Sequence, residues 1–384
     1  MKKLFYLLYA FVFHFCRVFP QKKNRVLLIS PHNANFCDSL GAVGEEFQRR
    51  DGYELRTISR RDLAFDRKHP LQSLLRIAGY FSVKIYFLAT ARYIFLNDNF
   101  MPLAYLNFRK STVITQLWHG EGAFKKFSLD EQLPPQIREI ATRCCARYTY
   151  VVCSSPVVAE INARAYNMPR ERVLPLGSAR TDCFFHADFS GEANRARLRE
   201  RLEAQYPACK GKKLALYAPT FRDNPAADAK ILQSFDCARF TGQLGEAYQL
   251  LVRLHPQIHA AQGMGGACDV TAWPNVSELV LLADVLITDY SSICMDFALL
   301  GKPCVFYAYD LAEYTAERGF LLPYEEMVPG VIAQDFDALL AVFAQERFET
   351  QKLDAFRAFH MGASDGNCAE RIVDAVLNGG ASDG

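Results

Sequence analysis

Leu286-Ile-Thr-Asp-Tyr-Ser-Ser-Ile-Cys-Met-Asp-Phe-Ala-Leu-Leu-Gly-Lys-Pro303 is the stretch on which the fold turns. Its first residues continue an apolar run from Val285 that is short and apolar on both faces, as a strand inside a parallel sheet is. The run ends at Asp289. Ser291 and Ser292 then open a helix that stops at Gly301, just ahead of Pro303, residue types that suit those two helix ends. Strand, polar turn and helix in this order form the building unit of a doubly wound α/β domain.

The same unit recurs in both directions. Leu214–Ala218, Gln249–Arg253 and Cys304–Tyr307 read as further strands of the second half. In the first half Arg25–Ser30, Glu54–Ile58, Tyr93–Leu96, Val113–Leu117 and Tyr148–Cys153 do so, with helices predicted over 40–50, 71–90 and 157–165. Between the halves, Ser190–Gln205 is charged and helical, and Pro207–Lys213 is rich in Pro, Gly and Lys. The spacing predicts two Rossmann-like domains, residues 25–190 and 191–384, facing a cleft, behind an apolar helix within residues 1–24. In open sheets of this kind ligands bind beyond the carboxyl ends of the strands, so the chemistry is expected in the loops that follow them.

Composition narrows the function. The 384 residues are 50% hydrophobic and 22% charged, the balance of a folded globular protein, and leave room for two domains and little beyond. The formal net charge of +2 supplies no global field to draw nucleic acid, and no nucleic-acid partner is expected. Twelve scattered cysteines are too sparse for a disulfide scaffold and lack zinc spacing, so they read as reduced core thiols in a cytoplasmic protein. The run Leu4–Cys16 follows Lys2 and Lys3 and precedes Arg17, Lys22, Lys23 and Arg25. As a helix of about 20 Å it is too short to span about 30 Å of bilayer core. No small-x-small cleavage site follows it, so an interfacial helix on anionic lipid is favoured, ahead of a helix packed on the protein itself and, third, a signal peptide.

Five loops carry candidate chemistry. Ser291 and Ser292, at a helix start after Asp289, offer hydroxyls and free N–H groups to an anion, with Asp296 one turn further on. His119 lies in Trp118-His-Gly-Glu-Gly122, where an imidazole can serve as general base to a hydroxyl and Glu121 can orient it or act as base itself. Lys125 and Lys126 follow on an expected helix and could meet phosphate. Arg253 and His255, held extended by Pro256, lie on one side of a strand end and can present two cationic donors to one phosphate. Thr220 and Arg222 follow another strand, and Arg180 with Asp182 suggests an ion pair bracing a turn near the domain join. No Walker motif, G-x-G-x-x-G, H-E-x-x-H or G-x-S-x-G is present, and no Asp-x-Asp pair sits in these loops to hold a divalent metal on a diphosphate. Phosphate charge would be met by helix ends, Arg, His and hydroxyls.

Taken in order, Trp118-His119-Gly120, Ala218-Pro-Thr-x-Arg222, Arg253-x-His255-Pro256 and Asp289-Tyr-Ser-Ser292 with Asp296 and Lys302-Pro303 resemble the CDP-glycerol glycerophosphotransferase family. Gly177, Arg180 and Asp182 resemble its inter-domain turn. The resemblance implies a GT-B-type α/β fold and metal-independent transfer of an alcohol phosphate, glycerol phosphate first among them. The donor would be a CDP-alcohol, the acceptor a hydroxyl of a lipid-linked glycan or polymer, and CMP the product, in teichoic acid or capsule synthesis at the cytoplasmic face of the membrane. It implies His119 as base, with His255, Arg253, Ser291 and Ser292 on the donor phosphates. Asp289 would support that loop, and Thr220 and Arg222 would contact the donor. No cofactor and no metal are implied. The sequence departs from the family after Gly120, where Thr-Pro-x-Lys is usual and Glu121-Gly-Ala-Phe precedes Lys125 here, and at Ala179, where Pro is usual. A sugar transferase or epimerase using a UDP- or ADP-sugar on the same fold is the alternative.

Overall fold

The structure is a computed structural model that describes residues 2–36, 38–222, 225–254 and 264–379. It divides into two compact units. The first comprises residues 1–121, 127–182 and 362–384; the second comprises 122–126 and 183–361.

The first unit is built on a six-stranded sheet of β1 (Lys22–Ser30), β2 (Glu54–Ser59), β3 (Ala91–Leu96), β4 (Val113–Gln116), β5 (Tyr150–Cys153) and β6 (Val173–Pro175). Their order is β2-β1-β3-β4-β5-β6, parallel throughout. Winding outward from β1 in both directions creates a switch point between β1 and β3, where loops leave opposite faces and open a crevice. The last six residues of β1 and all four residues of β4 are buried. The run expected as one helix over 71–90 is helical from Pro70 to Thr90 but contains a π turn at Tyr80–Lys84.

The second unit repeats the plan with β7 (Lys213–Tyr217), β8 (Tyr248–Val252), β9 (Cys268–Asp269), β10 (Val285–Thr288), β11 (Cys304–Tyr307) and β12 (Val331–Ala333). Here the order is β12-β11-β10-β7-β8-β9, again parallel, with the switch point between β7 and β10. The turn Asp289–Ser292, which follows β10, therefore lies at the crevice of this sheet.

A boundary at 190/191 does not anticipate that residues 362–384 return to the first unit. The helix Cys368–Gly379 buries Ile372, Val373 and Val376 in the same cluster as Val26, Phe47 and Phe95. Asp182 holds its start, accepting from the N–H groups of Cys368 (3.0 Å) and Ala369 (2.8 Å), as a buried carboxylate at a helix N-terminus should.

Residues Lys2–Cys16 form a helix. Tyr9 and Phe13 are buried and Tyr6 stacks on Tyr105 at 5.2 Å, while Leu4, Leu8, Phe11 and Phe15 are more than half exposed. Arg25, counted above among the flanking cations, is instead 4% exposed and paired with Glu54 at 3.0 Å. It opens the unbroken buried run of β1, so it is not available to an outside partner. Among the described residues no helix is long and apolar enough to cross a membrane.

Candidate active site

Both switch points carry polar residues. In the second unit the turns after β7 and β10 are tied by Asp289, whose Oδ1 accepts from the N–H of Thr220 (2.8 Å) and of Tyr290 (2.5 Å). Its other oxygen takes Arg222 Nη2 at 3.0 Å. Arg222 also donates to both oxygens of Asp310 (2.9 and 3.0 Å) and through Nη1 to the Thr220 carbonyl (2.6 Å). Its guanidinium lies 5.0 Å from the ring centroids of Tyr290 and Tyr314, which are stacked on each other at 3.9 Å. Burial opposes its charge, but Asp289 and Asp310 outweigh that and hold its pKa well above the ordinary value.

This geometry corrects one expectation. Arg222 is 6% exposed, with its donors spent on two carboxylates and a carbonyl, so it braces the turn and offers nothing outward to a donor phosphate. Thr220 is different: its buried Oγ1 has no hydrogen-bond partner among the described residues, an unmet group at the mouth of the crevice. Ser291 and Ser292 are partly exposed at the start of the helix Ile293–Leu299, where the Ser291 hydroxyl makes one long contact to Ile293 N (3.4 Å) and Ser292 makes no cap bond. Asp296 is 1% exposed inside that helix and packs within the unit rather than toward solvent. Lys302 is also structural. Its ammonium donates to the carbonyls of Val280, Leu281 and Ala283 at 2.7–3.0 Å, closing the end of the helix Val276–Leu282.

Neither Arg253 nor Lys125 has a carboxylate within ion-pair reach among the described residues. Arg253, just past β8, donates through Nη1 to the carbonyls of Trp273 (2.8 Å) and Val270 (3.3 Å), and burial lowers its pKa with no acid to offset it. Lys125 belongs to the second unit although it comes from the first half of the chain. It is not helical as expected: it forms a β-bridge with Phe320, which carries its side chain to within 5.9 Å of the Tyr314 ring. Burial pulls its ammonium down to about 8; the field of Asp289 resists this, and Arg318 and Arg222 add to it. A desolvated ammonium among other cations is stabilised by an incoming anion. His255, the partner expected for Arg253, lies outside the described residues.

In the first unit His119 follows β4. Trp118 takes a left-handed backbone (φ 60°), uncommon for a bulky residue, and its N–H is held by Gln116 Oε1 at 2.9 Å. The indole packs on Phe127 and Tyr166 and lies 4.3 Å from the imidazole. His119 Nδ1 faces the carbonyl of Asn97 at 3.0 Å. A carbonyl only accepts, so Nδ1 carries the proton and Nε2 holds the lone pair that a general base needs.

Glu121 does not share that role. It is 9% exposed, paired with Arg180 at 2.7 Å and bonded by the Ser178 hydroxyl at 2.9 Å. Burial would raise its pKa, but Arg180 and Ser178 bring it below the ordinary value, so it is a fixed anion bracing the turn. Arg180 thus pairs with Glu121 rather than with Asp182, whose carboxylate is committed to the helix at Cys368. The sequence reading missed Asn97 and Asp98 at the end of β3, because nothing in an Asn-Asp dipeptide distinguishes a ligand from a turn until the sheet order sets it beside His119. Among the described residues no cluster of His, Cys, Asp and Glu could hold a metal ion.

Two open parallel sheets, the first with imidazoles and the second with hydroxyls and cationic groups in the loops after their strands, define the class: a two-unit α/β protein equipped to bind anionic ligands. The chain belongs to the family described as CDP-Glycerol:Poly(glycerophosphate) glycerophosphotransferase, whose sequence profile matches residues 10–378. It is 31% identical to a teichoic acid poly(ribitol-phosphate) polymerase of Bacillus spizizenii across 98% of this chain, and spans 60% of that protein's length. It is 34% identical to a teichoic acid ribitol-phosphate primase of the same organism over 76% of each chain. The solved structure of the wall teichoic acid polymerase TagF shares the fold, with a TM-score of 0.76, 24% identity and coverage of 98% of this chain and 94% of that one.

Proposed function

We propose that this protein transfers a polyol phosphate, glycerol or ribitol phosphate, from a CDP-activated donor to a hydroxyl of a growing cell-surface polymer or its lipid-linked primer. The observation that supports this reading is the carboxyl end of the second sheet, where unmet Thr220 Oγ1, the serine-led helix start and the desolvated Lys125 follow the switch point and Arg253 follows the neighbouring strand β8. In this reading His119 Nε2 takes the proton of the acceptor hydroxyl, and the oxygen attacks the phosphorus that bears the polyol. The bond from that phosphorus to the CMP oxygen breaks, and the electron pair leaves with CMP. Arg253, His255, Lys125, Ser291 and Ser292 meet the diphosphate charge, Thr220 donates to a donor oxygen, and Asp289 with Arg222 holds their turns in register.

Membrane-surface contact fits the same reading. Leu4, Leu8, Phe11 and Phe15 of the first helix and Leu71, Leu74 and Leu75 of the helix Pro70–Gly79 are exposed apolar side chains that a lipid surface would cover. A lipid-linked acceptor at the cytoplasmic face would give these side chains a partner.

The test is CMP release. Purified protein should release CMP from CDP-glycerol or CDP-ribitol in the presence of a lipid-linked acceptor, the preferred alcohol identifying the cargo. His119→Ala should reduce the rate by about 10²–10⁴, the span of general-base catalysis. Release from a UDP-sugar instead, or an unchanged rate in His119→Ala, would overturn the assignment.

A further inference from the structure

The first sheet switches direction between β1 and β3, and the residues there are unassigned by anything so far. His32 follows β1 and Asp98 follows β3. His32 Nε2 and His119 Nδ1 each stand 3.7 Å from one oxygen of Asp98, Oδ2. The other oxygen is occupied, since Oδ1 accepts from the N–H of Asn99 at 2.6 Å. Gln116, fully buried, fixes the pair from below. Its amide donates to the Asp98 carbonyl (3.2 Å) and to the Tyr148 hydroxyl (3.2 Å), while its carbonyl receives the Trp118 N–H that sets the turn into His119. Asn97 is held by Ser30 at 3.2 Å and by Asp38, so the carbonyl that orients His119 is itself anchored to β1. Two imidazoles therefore address one carboxylate oxygen, at the position where open α/β sheets bind their ligands.

We infer that Asp98 is a positioning residue for proton transfer by His119, and that His32 competes for the same carboxylate and tunes that step. The inference rests on His119 being the base of the proposed reaction. When Nε2 takes the acceptor's proton the ring becomes a cation, and Asp98 Oδ2 is the anion nearest to it. At 3.7 Å, with Nδ1 already bonded to Asn97, Asp98 acts through its field and leaves the tautomer to the carbonyl. This differs from a Ser-His-Asp triad, where the carboxylate also sets the tautomer. His32 is 68% exposed in its side chain. Protonated, it neutralises Asp98 and withdraws support from the His119 cation. The other ionisable groups around are Asp38, bonded to Asn97, the Glu121–Arg180 pair on the His119 segment, and the phenols of Tyr148 and Tyr166, which burial keeps protonated.

The experiment is the pH profile of CMP release for the full-length protein, with kcat and KM separated, in wild type, Asp98→Asn, Asp98→Glu and His32→Gln. Asp98→Asn should lower kcat about tenfold with KM for the donor within twofold, and move the acid limb of the profile to lower pH. His32→Gln should move that limb to higher pH, because Asp98 then serves His119 alone, and Asp98→Glu should restore part of kcat. Opposite displacements are the signature: a merely structural role would change the rate without moving the limb, and His32 would leave it untouched. Limbs that stay fixed, or move the same way in both variants, overturn the inference. Wild-type protein that releases no CMP, or His119→Ala that keeps the wild-type rate, sinks the underlying reading instead, so the two failures are told apart.

Discussion

Replacing Arg222 by Met keeps roughly the volume of the side chain and removes its charge, which makes it the sharpest test of how the second switch point is held together. The side chains of Arg222 and Asp289 are 5% and 2% exposed and that of Asp310 is 13% exposed, so neither carboxylate can turn to water when the guanidinium goes. Removing one partner of such a buried pair costs about 3–5 kcal/mol, because an uncompensated charge is left behind. The Thr220 carbonyl loses its donor as well, for about 1 kcal/mol more. Against a total stability of about 5–15 kcal/mol, the variant should fold with a much reduced margin. The deficit should also depend on pH. With Arg222 gone, Asp289 and Asp310 are stranded beside each other in low dielectric, which raises their folded-state pKa above the unfolded one. The folded state then binds protons more readily than the unfolded chain, so the penalty is full above the raised pKa and is relieved as pH falls toward about 4. Urea unfolding of the variant followed by far-UV circular dichroism at pH 8 and at pH 5.5 measures both. A loss below about 1 kcal/mol at pH 8, or an equal loss at the two pH values, would refute the argument that buried charge compensation holds these turns. Adding Asp310→Asn should recover part of the loss, since it removes one of the stranded charges.

The remaining predictions are brief. Lys125 is charged below about 8, so CDP binding measured by calorimetry should weaken as pH rises from 7 to 9, and Lys125→Met should bind weakly with no such dependence. His360, 1% exposed, accepts the Ala123 N–H at 3.1 Å, and burial depresses it from 6.5 to about 4. The unfolded chain then takes up a proton first, so stability should fall as pH drops through that window by up to about 3 kcal/mol, and His360→Leu should flatten the slope of the urea midpoint against pH. Phe11→Glu with Phe15→Glu, on exposed positions of the first helix, should abolish co-sedimentation with anionic vesicles while leaving the melting temperature within about 2 °C. Vesicle binding that survives the double change would remove that helix as the contact.

Much of the fold could be read because parallel strands buried on both faces are nearly continuous apolar runs, and nine of them stand out in the sequence. The three that did not, β6, β9 and β12, span three, two and three residues, too short to show any period, and all belong to the outer strands of their sheets. The return of residues 362–384 to the first unit was illegible for a related reason. An amphipathic helix announces that it will pack, and not against which sheet. At the site, residue type and loop position identified His119, Thr220, Asp289 and Arg253 as polar groups at strand ends. They could not distinguish a side chain that faces a ligand from one that faces a carboxylate. Arg222 and Glu121 looked like ligands in the sequence because an arginine and a glutamate in a loop carry no mark of their partners. Asp310 and Arg180, which occupy them, lie 88 and 59 residues away.

The departure at Glu121-Gly122 gains meaning from this. The usual Thr-Pro would carry no charge, whereas Glu121 brings an anion that must be answered, and Arg180 with Ser178 answers it inside the first unit. Gly122, the first residue assigned to the second unit, sits at φ +71°, and a Cβ there would come within 2.7 Å of His360 Nδ1 and 2.8 Å of Met295 Cε. A proline could not take that backbone, since its ring fixes φ near −65°, and any larger side chain would strike the buried histidine. The two substitutions are therefore linked by geometry: glycine lets the chain turn against His360, and the carboxylate before it is pinned by Arg180. Pro at 122 would demand a different backbone, and Thr at 121 would remove the carboxylate that Arg180 and Ser178 hold.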